Sequence, residues 1–235
     1  MIKFKTNHCL DCESLPLPTI QTFLFGGEII YIFLDYDGTL IKNPEEEFQK
    51  YYFTSFLEYS KIQDKNVINT ILEATSELIK KNDEDTDNLD YYLKIMAEKS
   101  GKEEEYWYDL FINFYKNEFP KLNKIIKPND ELLEFIKKSK HQLIFASNPV
   151  FPKIAVEKRL NFIDMTFNDF EYVSYMENSH YCKPNPKFFI EIINKLKIDP
   201  KDCIMIGDTV FDEASTKAGI KFIHVNEKDK WKDIL

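Results

Sequence analysis

The chain has 235 residues, 43% hydrophobic and 30% charged, with a formal net charge of −9. That length buries one sizeable core with room for a smaller satellite, and the composition excludes a disulfide-stapled peptide and a membrane-spanning protein. Basic residues are scattered among acidic ones, which argues against a nucleic-acid partner, and the four cysteines read as reduced thiols.

The opening stretch MIKFKTNHCLDCESLPLP has no continuous apolar h-region and no small-residue cleavage site, so a cytoplasmic address and no membrane partner are expected. Within it, Cys9 and Cys12 beside His8 form a single CxxC, a weak signal for half a zinc site or a redox pair. Thr19 to Phe25 and Glu28 to Leu34 flank Gly26-Gly27 in the pattern of a two-residue hairpin. A central parallel strand has both neighbours occupied, so residues 1–27 are expected to be an edge extension or a docked arm.

Glu28 to Leu34 (EIIYIFL) reads as a buried strand running into the polar cluster DYDGT. From Pro44 to Ile125 apolar residues recur at helical spacing, which predicts a block of about four helices. A helix is predicted from Asn129 to Lys140 and a strand from His141 to Ala146. Then come a helix (Pro152 to Leu160), a strand (Glu171 to Ser174), a helix (Pro186 to Leu196), a strand (Cys203 to Ile206), a helix (Phe211 to Ala218) and a strand (Lys221 to Val225). Such alternation implies right-handed crossovers and an α/β fold, a doubly wound, mostly parallel, Rossmann-like sheet. Residues 28–43 and 126–235 would form its core, with residues 44–125 as an inserted helical domain.

Ligands of such sheets lie beyond the carboxyl ends of the strands. The predicted strand ends carry Asp35 and Asp37, then Ser147 and Asn148, then Asp208 with Asp212, and the loop YCKPNP adds Lys183. Acids at strand ends are often only solvated turn formers, and Ser147 and Asn148 could equally cap the next helix. Four ordered motifs weigh against that reading: LDYDGTL (Leu34 to Leu40), FASN (Phe145 to Asn148), CKPNP (Cys182 to Pro186) and IGDTVFD (Ile206 to Asp212).

Together these motifs resemble the haloacid dehalogenase superfamily. The resemblance implies that Asp35 is a nucleophile attacking phosphorus and that Asp37 protonates the leaving group and later activates water. It also implies that the backbone carbonyl of Asp37 joins Asp35 and Asp208 in holding a metal. Carboxylate oxygens suit Mg²⁺, which offsets the repulsion between a carboxylate and a phosphate dianion. Ser147, Asn148 and Lys183 would bind the phosphoryl group, with Thr39 and Asp212 behind them. The helical block occupies the position of a C1 cap, and its aromatics Tyr51, Tyr52, Phe53, Phe56, Tyr91, Tyr92, Tyr106, Trp107 and Tyr108 either line a leaving-group pocket or pack the cap's own core.

The expected activity is Mg²⁺-dependent hydrolysis of a small-molecule phosphate ester. A sugar-phosphate mutase and a non-catalytic binding module are the alternatives. Asp37 argues against a dehalogenase, since halide departs without a proton. A phosphonatase would need a Schiff-base lysine in the cap; Lys50, Lys61, Lys65, Lys80 and Lys81 carry no sequence mark of desolvation.

Overall fold

The apolar run ahead of Asp35 becomes strand β1 (Tyr31–Leu34) in a computed structural model that describes residues 30–64 and 66–235. The chain then detours through helices α1 (Glu45–Ser60), α2 (Val67–Lys80), α3 (Asn88–Ser100) and α4 (Glu104–Asn117) and a 3₁₀ segment, Phe119–Ile125. The local signals are ordinary ones. Val67, Ile71, Ala74 and Leu78 make one buried stripe on α2, and Asp87 caps α3 by accepting from the Asp90 amide. Gly101, at φ 68, supplies the left-handed residue that ends α3.

Strands β2 (Gln142–Phe145), β3 (Tyr172–Val173), β4 (Cys203–Gly207) and β5 (Lys221–His224) complete a sheet of order β3-β2-β1-β4-β5, all parallel. Both faces are apolar, as in a buried parallel sheet: Ile32, Leu34, Leu143, Phe145, Ile204 and Ile206 enter one cluster, and Phe33, Ile144 and Met205 enter another. Helices α5 (Asp130–Lys138), α6 (Lys153–Asn161) and α9 (Lys228–Lys232) pack on the first face and α7 (Lys187–Leu196) on the second. The protein is a doubly wound α/β fold.

One expectation changes in detail. The helix predicted over Phe211 to Ala218 is a short α8 (Val210–Glu213) followed by 3₁₀ turns over Ala214–Ala218, ended by Gly219 at φ 84. β1 pairs with β2 and β4 along its whole length, so no hairpin partner lies along Tyr31–Leu34. The other hairpin residues, the arm 1–27, His8, Cys9, Cys12 and Lys65 lie outside the described residues. Cys182 and Cys203 are free buried thiols, both pushed up to about 12 by burial. Among the described residues no helix is long and apolar enough to cross a membrane.

Where the chain leaves for the helical block and returns from it, one side chain joins the two crossings. The Asn43 amide donates to the Ile125 carbonyl at 2.7 Å and accepts from the Lys127 amide at 2.8 Å. Lys42 N–H donates to the Lys127 carbonyl at 2.7 Å, and the Lys127 ammonium reaches Glu47 at 2.7 Å. These bonds fix the block's base beside the strand ends.

Candidate active site

The chain runs from β1 outward through β2 and β3, then crosses to β4 and β5 on the other side, so β1 and β4 flank the topological switch point. Their register pairs Leu34 with Ile206, and the Asp35 amide continues the ladder by donating to the Ile206 carbonyl at 3.1 Å. Asp35 and Asp208 therefore emerge side by side.

The Lys183 ammonium, only 2% exposed as a residue, donates to Asp35 at 2.8 Å and to Asp212 at 2.6 Å. Asn148 holds the lysine's backbone, accepting from its amide at 3.0 Å and donating to its carbonyl at 3.3 Å. Neither Ser147 nor Asn148 caps α6, which begins after Pro152 with no side-chain cap bond. Ser147 is buried, and its carbonyl accepts from the Ser174 hydroxyl at 3.0 Å. The second Asp212 oxygen accepts from the amides of Asp208 and Thr209, both at 3.2 Å, and from the Thr209 hydroxyl at 3.1 Å. That is a capping box on α8, so Asp212 is held by its own helix start.

Carboxylate oxygens of Asp35, Asp208 and Asp212 all lie within 4.8 Å of one another. One Asp208 oxygen is buried with no hydrogen-bond partner among the described residues, as is the Thr39 hydroxyl. Gly38, at φ 73, runs against this group so closely that a Cβ there would sit 2.0 Å from an Asp208 oxygen. Three acids cluster beside one ammonium, and one of their buried carboxylate oxygens has no partner among the described residues. A hard divalent cation fits that donor set.

Charge behaviour follows from this crowding. Burial pushes the Asp35 carboxyl from its ordinary 3.8 up to about 7; Lys183 pulls it back in part, while Asp212 and Asp37 add to the rise. Asp208 is raised as well, first by burial and then by Asp212. With the folded value above the unfolded one, the folded chain holds its protons more tightly, so from about pH 4 to about pH 7 Asp35 lowers stability as pH rises, and Asp208 acts in the same direction. Glu131, held low by Lys228 and Lys232, is already ionised in the upper part of that window. In chelator, the melting temperature is expected to fall between about pH 5 and about pH 7.5, and added Mg²⁺ to raise it more at the higher pH. Thermal melts at the two pH values check this; an equal Mg²⁺ effect at both would contradict it.

Asp37 is not part of that three-acid group. Its half-exposed carboxylate accepts from the guanidinium of Arg159 on α6, and that guanidinium lies over the Tyr36 ring at 4.2 Å and the Phe151 ring at 4.6 Å. The Tyr36 hydroxyl donates back to the Arg159 carbonyl at 2.8 Å. Sequence reasoning passed over Arg159, although one signal was available: it is the only arginine in the chain.

A cavity of about 570 Å³ opens from Asp35, Asp37, Ser147, Asn148, Lys183 and Asp208 into the helical block. Of the nine aromatics considered from sequence, Tyr52, Phe53, Tyr92 and Tyr108 line it. Phe56 and Trp107 are buried in the block's own apolar cluster instead, Trp107 with its indole N–H donated to the Ser100 hydroxyl at 2.7 Å. Among the candidate lysines, Lys81 proves to be desolvated, but its ammonium is tied to the carbonyls of Asp83 and His180 and does not line the cavity.

The model of the haloacid dehalogenase-like hydrolase family matches residues 31–219 of this chain. Among solved structures, the chain is similar to a putative beta-phosphoglucomutase from Thermotoga maritima at 18% identity and a TM-score of 0.52, covering 88% of this chain and 100% of that one. It is also similar to CbbY from Rhodobacter sphaeroides in complex with phosphate, at 16% identity, a TM-score of 0.51 and coverage of 84% and 86%. A hydrolase from Pseudomonas syringae matches at 17% identity with a TM-score of 0.50, covering 84% of each chain. At such identities the likeness is one of fold, and no curated protein matches the sequence. Because the family model spans most of the chain, from β1 through β4 and on to Gly219, this protein belongs to the haloacid dehalogenase-like hydrolase family.

Proposed function

We propose that this chain is a Mg²⁺-dependent phosphatase that hydrolyses small-molecule phosphate monoesters through an aspartyl phosphate on Asp35. The observation that carries the reading is the cavity wall itself, which gathers Asp35, Asp37, Lys183 and Asp208, one Asp208 oxygen having no partner among the described residues. A phosphoryl group needs a nucleophile, a proton donor for the leaving oxygen and positive charge around its own oxygens, and these residues offer all three.

Asp35 attacks phosphorus as the bond to the leaving oxygen breaks, and Asp37 gives that oxygen its proton. Asp37 then takes a proton from water, whose oxygen attacks the same phosphorus and releases Asp35 with free phosphate. Lys183 and Ser147 hold the phosphoryl oxygens, and Arg159 fixes the Asp37 carboxylate. Asp35, Asp208 and the carbonyl of Asp37 would hold Mg²⁺, with Asp212 behind them. When bound, the ion supplies charge that offsets repulsion between the Asp35 carboxylate and a dianionic substrate. The helical block above the site serves as a cap.

Hydrolysis of an aryl phosphate is expected with Mg²⁺ and is expected to fall at least ~10-fold in chelator, recovering when Mg²⁺ is restored. Metal-independent turnover, or none across a broad ester panel, would refute the reading. Free phosphate as product, rather than an isomerised sugar phosphate, separates it from the mutase alternative.

A further inference from the structure

The part of the cavity built by α1–α4 is lined, among the described residues, without a single lysine, arginine, histidine or carboxylate. Its polar side chains are Gln49, Tyr52, Thr75, Tyr92, Tyr108 and Tyr115, of which Tyr52, Thr75, Tyr92 and Tyr115 are already hydrogen-bonded within the protein. The Tyr52 and Tyr115 hydroxyls lie 2.8 Å apart in a shared hydrogen bond, and the Thr75 hydroxyl donates to the Ile71 carbonyl at 2.8 Å. Thr75 is also the hydrogen-bond partner of Tyr92. A sugar or any other polyol entering this space would find few replacement partners for its hydroxyls, at a cost of about 1–3 kcal/mol for each group left buried and unpaired.

The mouth has the same character. Leu72, Tyr108 and Phe211 line the cavity and are nevertheless 43%, 42% and 41% exposed, an unusual concentration of large apolar side chains facing water. Leu72 and Tyr108 come from the helical block and Phe211 from α8 beside Asp208, so the apolar rim joins the phosphate end of the site to the space above it. With about 570 Å³ to fill, the space accepts a leaving group of drug-like size.

Resting on the phosphatase reading above, we propose that the cavity is the leaving-group site for phosphomonoesters of uncharged hydrocarbon alcohols or phenols. Polar groups of the substrate stay at Asp35, Asp208 and Lys183, and its apolar portion lies among Phe53, Ile71, Leu93 and Phe111. Each methylene buried there adds about fourfold to the specificity constant until the cavity is full.

The test is kcat/KM over a series of ethyl, butyl, octyl and dodecyl phosphates beside hexose 6-phosphates, with Mg²⁺ present. A rise of ~10²-fold or more from ethyl to octyl is expected, with hexose phosphates no better than ethyl phosphate. Leu72→Glu, on the exposed rim where folding is least at risk, is expected to cut the octyl-to-ethyl ratio at least ~10-fold. Calorimetry with the inert octylphosphonate gives a readout independent of turnover, and binding with a negative heat-capacity change supports the assignment. A flat alkyl series with hexose phosphates preferred overturns this inference and leaves the phosphatase reading standing. No phosphate release from any ester, with octylphosphonate still bound in that manner, overturns the phosphatase reading and keeps the cavity assignment; absence of both overturns both.

Discussion

Asp35→Asn is expected to lower phosphatase turnover by at least ~10⁴-fold while the protein stays folded. An amide cannot form the acyl phosphate, and nothing else at the end of β1 can stand in for it, since Asp37 is turned toward Arg159. Stability should hold for a separate reason. The Asp35 carboxylate is costly where it sits, buried and pushed up to about 7, and Asn keeps its shape without its charge. Lys183 loses one of its two partners but keeps Asp212 at 2.6 Å, so its ammonium is not stranded. The melting temperature and far-UV spectrum check the fold, and release of phosphate checks the chemistry. Full activity in this variant would remove Asp35 from the mechanism.

Arg159→Ala should fail in two ways at once. The residue is 2% exposed and holds its charge against the rings of Tyr36 and Phe151, so truncation removes packing, two cation–π contacts and an ion pair together. A loss of about 2–4 kcal/mol is expected; Asp37 is half exposed, so water takes up part of what the guanidinium gave it. Turnover should fall about 10²-fold with little change in KM, because a general acid displaced by a fraction of an ångström works poorly whatever the affinity for substrate. Arg159→Met separates the two effects. It restores much of the packing and leaves kcat low, and recovery of kcat in the Met variant would limit Arg159 to a structural role. Denaturant unfolding and steady-state kinetics on both variants provide the measurements.

Much of this was legible from the residues alone, for a geometric reason. In a parallel sheet every strand delivers its following loop to the same edge, so Asp35, Ser147 and Asp208 had to gather once the strands ahead of them were recognised. Lys183 could be placed because its loop precedes α7, which starts at that edge. What the spacing could not carry was direction. Asp37 lies two residues from Asp35, yet its carboxylate faces a side chain more than a hundred positions away. Arg159 sits inside a helix of weak apolar periodicity, where an arginine reads as solvent-facing. The aromatics of the helical block posed the same problem: Tyr52 and Trp107 are both buried, and only three-dimensional packing decides that the first borders the cavity while the second does not.

A chain with a single guanidinium offers an arginine-selective dicarbonyl reagent only one address. Because that address is buried against two rings beside the loop that carries Asp35 and Asp37, its labelling rate is a clock for transient opening of this part of the molecule, readable by intact mass without engineering a probe into the protein.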